Sequence, residues 1–530
     1  MTMGSRSDFP PGTVELLSRK SFASRVVVAT RSYGATGQKS GKEKITRRPT
    51  PSDDPNDPLR WPMWRKLFNF GLLTAMTMAI FTGLAIQSLF FKPLRKELHV
   101  TTGQLLTAKA ILLSGEAVTC IIFIPLAKKY GRRSLYIVST AVFTAAVWWT
   151  AYMQTATELY LTNLLKGLAG AINETAVQMS IRDMFFVHQR GTANGFYFAA
   201  LKFGFTLSPM AAGAQATAFG WRSCYMTLAV FMTVLTLVFA VGYEETKFVR
   251  PAADDKGSAE DEDAVDGALE KDLDEKRTPQ VPFPHYLRLQ LLTPTGESLW
   301  KTLYQPLFTV AIPQVMFVAV LYGVDLCTIT VSGSMKSIIF VEPPYNFTPR
   351  ELGLMHLGPF IGSILGTLYG GFLIDAAIVW LARRNGGIFE PEMRLYFLPI
   401  PALAMAAGMA TFGIAADRGM HWIYPIIGTT LSSFGFGGVA DIAFTLIIDS
   451  YPDIVSQTFV VIAFFRNAIG VIGAFAVEPW RQAMTVSGMF VLIAGVLVLV
   501  HLVAIPMAIW GKRARAANAE RYYRLSQATW

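Results

Sequence analysis

The chain repeats one pattern along most of its 530 residues, in which long and mainly apolar stretches alternate with short polar breaks. A helix of about 20 apolar residues crosses a hydrocarbon core of about 30 Å. The pattern predicts twelve membrane spans, numbered 1 to 12, near residues 67–90, 105–127, 134–152, 158–181, 193–216, 222–242, 305–331, 351–374, 395–416, 421–448, 457–478 and 484–510. Only 16% of the residues are charged, whereas a soluble protein usually has about 25%. We therefore expect an all-α membrane protein with twelve transmembrane helices in two six-helix halves.

The polar segments divide the chain into five predicted parts. Residues 1–65 form a tail that is rich in Ser, Arg and Lys and is expected to be mostly disordered. Residues 66–243 form the first half, and 244–303 form a linker with a run of acidic residues. Residues 304–510 form the second half, and 511–530 form a basic tail. Six spans, a bridge and six more spans are typical of a duplicated transporter.

Lys and Arg predict the orientation of the chain. They flank the predicted spans more often on the side of the tails and linker than on the opposite side, so we expect both tails in the cytosol. The smaller set on the outer side includes Lys109 and Lys336. It also includes a cluster in the first outer loop, at Lys92, Arg95 and Lys96, for which the orientation rule gives no reason. The expected location is the plasma membrane.

The net charge of +10 does not indicate nucleic-acid binding, because most of the Lys and Arg residues lie in tails and loops beside spans. The expected partners are membrane lipid, protons and a small organic substrate, with no nucleic acid, and the expected state is a monomer. The sequence has no P-loop or ATP-binding cassette motif, scattered His residues and three Cys inside apolar runs. We therefore expect no cofactor, no metal site and no enzyme activity, and an energy source that is an ion gradient or the substrate's own gradient.

Ionisable residues inside the predicted spans are the candidates for a transport pathway. A charged side chain at the centre of a bilayer costs about 2.5–3.5 kcal/mol, so each should face protein or a water-filled cavity. Ion pairs between helices would satisfy them equally well, which leaves a structural role open. We favour Glu174 and Asp325 as residues that bind a proton or the substrate. The full set is Glu174, Asp325, Lys202, Asp441, Glu116, Lys166 and Arg466.

The turn between spans 2 and 3, PLAKKYGRRS, carries four cations around a glycine. Topology alone explains a basic turn on the cytosolic side. The alternative is a latch, in which these side chains pair with a carboxylate and hold one conformation of the transporter. The second half has a weaker copy of this pattern at the matching place. The predicted latch residues are Lys128, Lys129, Arg132, Arg133, Asp375, Arg383 and Arg384.

A set of short strings in order resembles the major facilitator superfamily and, within it, the twelve-span fungal drug:proton antiporter type. The strings include DPNDPLRWP before span 1, AKKYGRR after span 2, NETAVQMSIRDMFFVHQRG at the end of span 4, YEET after span 6 and RNAIG within span 11. They extend from Asp54 to Trp510. The resemblance implies the major facilitator fold and an antiporter signature in span 5, here Gly204, Ser208, Pro209 and Gly213.

The sequence departs from the family pattern at four places, one of which is Ser208, where the signature of span 5 usually has Gly. Ile124 and Lys128 replace the usual Gly and Asp of the turn after span 2. Asn163 stands where antiporters usually have an Arg that is implicated in proton coupling, which puts the usual coupling scheme in doubt.

The sequence supports three functional hypotheses. The first is a proton-coupled secondary transporter that exports a small organic molecule, such as a drug or secondary metabolite, across the plasma membrane, and so confers multidrug resistance. The second is proton-coupled uptake of an organic cation such as a polyamine, or of another nutrient. The third is a nutrient sensor that does not transport.

Overall fold

The computed structural model describes residues 10–15, 57–248, 289, 291 and 299–527. Its helices follow the order of the predicted spans. In the first half they are Met63–Leu98, Thr102–Tyr130, Arg133–Tyr152, Ala156–Gly170 with Ile172–Met184, Val187–Lys202 with Ser208–Phe219, and Trp221–Gly242. In the second half they are Pro313–Ile339, Pro349–Arg384, Pro391–Asp417, Ile423–Ser450, Pro452–Ala483 and Val486–Ala517.

Ten of the helical segments in the described residues are long and apolar enough to cross a membrane. Spans 4 and 5 complete the order but are each divided into two shorter helices, which meet near Ala171 and at a π-helical turn over Phe203–Leu207. Span 8 has a second π-helical turn at Tyr369–Leu373. The all-α membrane fold is thus confirmed.

Threonine caps begin several of the helices on the outer side, which is the face opposite the tails. The Thr hydroxyl accepts a hydrogen bond from the backbone N–H three residues later, and the Gln or Glu at that position accepts one from the Thr N–H. Because each capping box occupies two of the N–H groups that a helix end leaves unpaired, it fixes where the span begins. The pairs are Thr101–Gln104, Thr155–Glu158 and Thr348–Glu351.

The first outer loop joins the two halves of the molecule. The Lys92 ammonium donates to the carbonyl of Val341 at 3.0 Å, and the Arg95 guanidinium pairs with Glu342 at 3.1 Å. Both partners follow span 7, in the second half. This contact between halves gives a reason for cations on the outer side that the orientation rule did not supply.

A segment near the N-terminus lies on the tail side of the second half. The strand Val14–Glu15 pairs antiparallel with Ile388–Phe389, between spans 8 and 9. The buried Arg515 guanidinium donates to the Pro11 carbonyl and forms a two-pronged ion pair with Glu392, at 2.8 and 2.7 Å. Pro11, Val14 and Glu15 belong to the tail that was predicted to be mostly disordered. Apart from residues 10–15, the tail up to residue 56 lies outside the described part of the chain, as does most of the predicted linker.

Replacing Arg515 with Met should lower the Tm of the purified protein markedly. The change leaves Glu392 buried without its cation, and breaking one side of a buried ion pair costs about 3–5 kcal/mol. The matched control is Arg524→Met, because Arg524 pairs with Glu520 at the surface, where both side chains are 75% exposed and an ion pair contributes little. Thermal unfolding of the two variants side by side is the measurement, and equal Tm values would contradict this account of the tail.

Candidate functional site

A cavity of about 230 Å³ lies between the two halves. Its wall comes from spans 1, 2, 4 and 5 of the first half and from spans 7, 8, 10 and 11 of the second. Each half therefore supplies four helices in matching order. A ligand bound here would contact both halves at once, which is the arrangement that transport by rocking of two repeats requires.

Aromatic rings form part of the cavity wall. Tyr322 and Phe436 stack with their centroids 5.5 Å apart and an interplanar angle of 16°. The Lys202 ammonium lies 5.4 Å from the centre of the Phe436 ring, and the Arg466 guanidinium lies 5.7 Å from that of Tyr322. The rings thus stabilise two cations of the wall through their faces and leave apolar surface for an organic ligand.

The charged groups of the wall are mostly cationic. Lys109, Lys202, Lys336 and Arg466 all line it, and Glu116 is the one carboxylate among the lining residues whose side chains the structure describes. The Lys109 ammonium crosses between the halves, donating to the Ser334 hydroxyl at 3.0 Å.

Three of the predicted pathway residues, Glu116, Lys202 and Arg466, lie in the cavity wall. Lys166 is fully buried just behind it, with its ammonium 3.4 Å from the amide oxygen of the wall residue Gln87. The backbone of Glu174 is helical, but its side chain lies outside what the structure describes, so its predicted role stays a prediction.

The other two predicted pathway residues lie outside the set that lines the cavity. Asp441 packs against span 8, where its Oδ2 is 3.1 Å from the position that a Cβ would take at Gly370. Asp325 is fully buried and faces span 12, with its Oδ2 3.5 Å from His501 Nε2. Asp325 and His501 therefore form a closed polar pair inside the second half.

Asn163 takes part in the cavity wall at the position where antiporters usually have Arg. Its amide nitrogen donates to the Leu159 carbonyl at 2.8 Å, one turn earlier in span 4. Its amide oxygen is buried without a hydrogen-bond partner among the described residues. The wall thus has a short neutral group at this position.

The antiporter-like residues of span 5 pack it against two other spans. A Cβ at Gly204 would lie 2.4 Å from the Met78 carbonyl oxygen of span 1. A Cβ at Gly213 would lie 2.3 Å from the Pro349 carbonyl oxygen of span 8, and Pro209 packs on Gly353 of the same span. Ser208 donates to the Gly204 carbonyl at 2.5 Å. This signature therefore brings the outer ends of the two halves into close contact.

The basic turn between spans 2 and 3 binds the end of span 6. The backbone N–H groups of Arg132 and Arg133 donate to the Glu245 carboxylate at 3.0 and 3.1 Å. The Arg133 side chain donates to the Tyr243 carbonyl at 2.7 Å. Gly131 has a φ of +101°, a conformation that favours glycine, and so allows the turn that aims these N–H groups.

Three further contacts hold the same turn within the first half. The Arg132 side chain pairs with Asp183 at the end of span 4. The Lys128 and Lys129 carbonyls accept hydrogen bonds from the Lys247 ammonium. The Arg133 guanidinium also donates to the carbonyl of Leu289, a described residue of the linker. The latch role of Lys128, Lys129, Arg132 and Arg133 stays a prediction.

The second half repeats this network with a different cation. Asp375, at the end of span 8, pairs with Arg394 at 2.9 Å, and Arg394 also pairs with Asp449, at the end of span 10, at 2.7 Å. Arg384 lies 3.9 Å from the centre of the Trp380 ring on its own helix, and Arg383 is exposed. Arg394, which the sequence analysis did not select, thus holds the centre of the cluster.

Sequence reasoning overlooked several residues that the structure brings together. The string YEET contained a signal for Glu245. It places a carboxylate at the cytosolic end of span 6, on the same side of the membrane as the basic turn after span 2, whose N–H groups a carboxylate can bind. Lys109 and Lys336 were counted only as cations of the outer side. They lie inside the helices Thr102–Tyr130 and Pro313–Ile339 and line the cavity wall. No signal in the sequence connected Asp325 with His501.

Replacing Gly213 with Ala should push the outer ends of spans 5 and 8 apart, because the new Cβ would overlap the Pro349 carbonyl. We expect a cysteine introduced at Ser332, in the cavity wall, to react several-fold faster with a membrane-impermeant maleimide added outside intact cells. Gly71→Ala is the control, because nothing lies within 4 Å of a Cβ at that position. Equal labelling rates in the two variants would contradict the account of Gly213.

Comparison with known proteins gives relatives that match over nearly their full length. An uncharacterized MFS-type transporter of Schizosaccharomyces pombe is 27% identical over 97% of this chain and 94% of its own. Protein HOL1 of Saccharomyces cerevisiae is 26% identical over 96% and 95%. The MFS-type transporter penM of Penicillium rubens is 27% identical over 90% and 92%.

The fold is similar to that of a solved transporter. A crystal structure of a mutant of the peptide transporter POT in complex with alafosfalin superposes with a TM-score of 0.60, at 14% identity, over 87% of this chain and 98% of the other. The family profile of the Major Facilitator Superfamily matches residues 73–474. The chain is therefore a multi-pass membrane transporter that belongs to the Major Facilitator Superfamily.

Proposed function

We propose that the protein is a proton-coupled secondary active transporter of the fungal drug:proton antiporter type, which exports a small organic molecule across the plasma membrane. The observation that carries the proposal is the cavity between the halves, whose wall combines stacked aromatic rings with ionisable side chains. The antiporter-like residues of span 5 support it, since they make the close contact between outer ends that an alternating-access cycle must break and remake.

The Asp325–His501 pair supports proton coupling. His501 Nδ1 lies 2.7 Å from the Leu497 carbonyl, so it carries a proton and donates it. Nε2 therefore faces the Asp325 carboxyl group, and both Asp325 oxygens lack a hydrogen-bond partner among the described residues. With one shared proton the buried pair is neutral, and the loss or gain of a proton leaves a net charge in the interior. In the proposed cycle the pair therefore exchanges its proton only in the conformation in which water reaches it, which couples the proton to the movement of the halves.

The charge of the wall disfavours uptake of an organic cation, which is the second hypothesis. The four cations and one carboxylate among the described lining residues would repel a polyamine. The sensor hypothesis depends on a module in the linker, and most of the linker lies outside the described residues. Export of a neutral or anionic molecule therefore agrees best with the described residues.

Sealed proteoliposomes with an imposed pH gradient test this function. We expect an acidic outer face to drive a radiolabelled organic probe toward that face, against its own gradient, while protons move the opposite way. The probes are benzenesulfonate, which is permanently anionic, and phenyltrimethylammonium, which is permanently cationic. Movement of either probe in the same direction as the protons would favour uptake, and no gradient-driven movement of either would contradict the proposal.

The variants Asp325→Asn and Glu174→Gln should each abolish the effect of the pH gradient while leaving exchange of probe without a gradient intact. Each change removes a group that can take up and release a proton. Asp417→Asn is the control, because Asp417 is exposed at the end of span 9. A gradient response in Asp325→Asn equal to that of the control would refute the role of Asp325.

A further inference from the structure

The outer end of the cavity has a group of basic side chains, and no carboxylate of the described residues lines the wall beside them. Lys109 comes from span 2, Lys336 from span 7 and His356 from span 8, and all three line the wall. The first belongs to one half and the other two belong to the second half. The Lys109 ammonium reaches the helix of Lys336, where it lies 3.0 Å from the hydroxyl of Ser334, two residues before Lys336.

The two lysines differ in how they are held. The Lys336 side chain is only 7% exposed, and its ammonium makes no hydrogen bond or ion pair within the described part of the chain. Lys109 is held by Ser334 at 3.0 Å and by the Thr330 carbonyl at 3.4 Å, both of which are neutral. Two ammonium groups on a cavity wall whose described contacts are neutral create a positive potential there, which attracts an anionic group.

The carboxylate of the wall is too far away to supply that group. Glu116 follows Lys109 by seven residues on the same helix, which places it about 10 Å deeper along the axis. Glu116 also packs toward span 4, with Oε1 3.6 Å from the position of a Cβ at Gly170. A negative charge near Lys109 and Lys336 must therefore come from another source.

We propose that the substrate is a small organic anion, whose carboxylate or sulfonate is bound by Lys109, Lys336 and His356 at the outer end of the cavity. The proposal rests on the proposed function and names the substrate class for the same cavity. One anionic oxygen group accepts hydrogen bonds from both lysines and replaces the repulsion between them with attraction.

The rest of the cavity fits an aromatic body attached to that anionic group. Tyr322, Phe436 and Phe91 contribute rings to the wall. A cavity of about 150 Å³ holds benzene, and this one, at about 230 Å³, has room for a ring with one charged substituent. Because the anion bridges lysines of both halves, its binding also stabilises the state in which the outer ends are packed together.

Equilibrium titration tests the anion site without any transport. The purified full-length protein in lipid nanodiscs is titrated by calorimetry at neutral pH with benzenesulfonate, benzenesulfonamide and phenyltrimethylammonium, which are anionic, neutral and cationic. We expect benzenesulfonate to bind most tightly. Lys336→Gln should weaken its binding about tenfold or more and leave binding of the sulfonamide unchanged, since one charge-assisted contact is lost.

Two further variants keep the result interpretable. Lys336→Arg retains the charge and should retain preference for the anion, and Lys96→Gln removes an exposed lysine outside the cavity and should change nothing. The proposal is overturned if wild type shows no measurable benzenesulfonate binding or no preference for it, or if Lys336→Gln binds it like wild type. No gradient is present, so anion selectivity and proton-coupled export can fail independently of each other.

Discussion

Charged side chains cannot rest in hydrocarbon, and this constraint decides how the two halves of the protein fit together. Lys109, Lys202 and Arg466 lie on the wall of a shared cavity, where water or a ligand can reach them. Asp325 instead faces His501 inside the second half. The spans could not be arranged with their charged faces toward lipid, so each charge lies either at the cavity between the halves or beside a partner inside one half. The same cavity supplies the binding site that a transporter of this superfamily needs.

The contacts on the two sides of the membrane differ in kind. On the tail side, Glu245 holds the turn after span 2, and Arg394 joins Asp375 to Asp449, so the strongest polar contacts lie within one half. On the outer side, Gly213 and Arg95 connect one half to the other. Each half can therefore move as a unit. The contacts between halves that must change during transport are exposed ion pairs and places where two backbones lie close together, and breaking them costs little free energy.

The order and character of the spans were predictable because length and hydropathy alone determine them.

The site was predictable only in part. Glu116, Lys202 and Arg466 were selected as intramembrane charges, and the structure places them on the wall, yet Asp325 was selected on the same grounds and lies outside that set. Rotation of each helix about its axis decides this difference, and rotation depends on packing partners that sequence position does not specify. His501 follows Asp325 by five spans, so nothing local connects them. Lys109 lay inside the predicted span 2 near its outer end, and Lys336 lay five residues beyond the predicted end of span 7. Both were counted as cations of the outer side, because boundaries predicted to within a few residues do not show which side chains face a cavity.

Alternating access of two rigid halves about the central cavity is the claim on which the proposed function depends. Distances between spin labels test it most directly, with one pair at Phe219 and Arg350 on the outer ends of spans 5 and 8 and a second pair at Phe196 and Phe372 on their tail-side parts. Changing the pH or adding benzenesulfonate should lengthen one distance while the other shortens, because the halves rock about the cavity between the two pairs. Distances that both stay fixed, or that lengthen and shorten together, would contradict it.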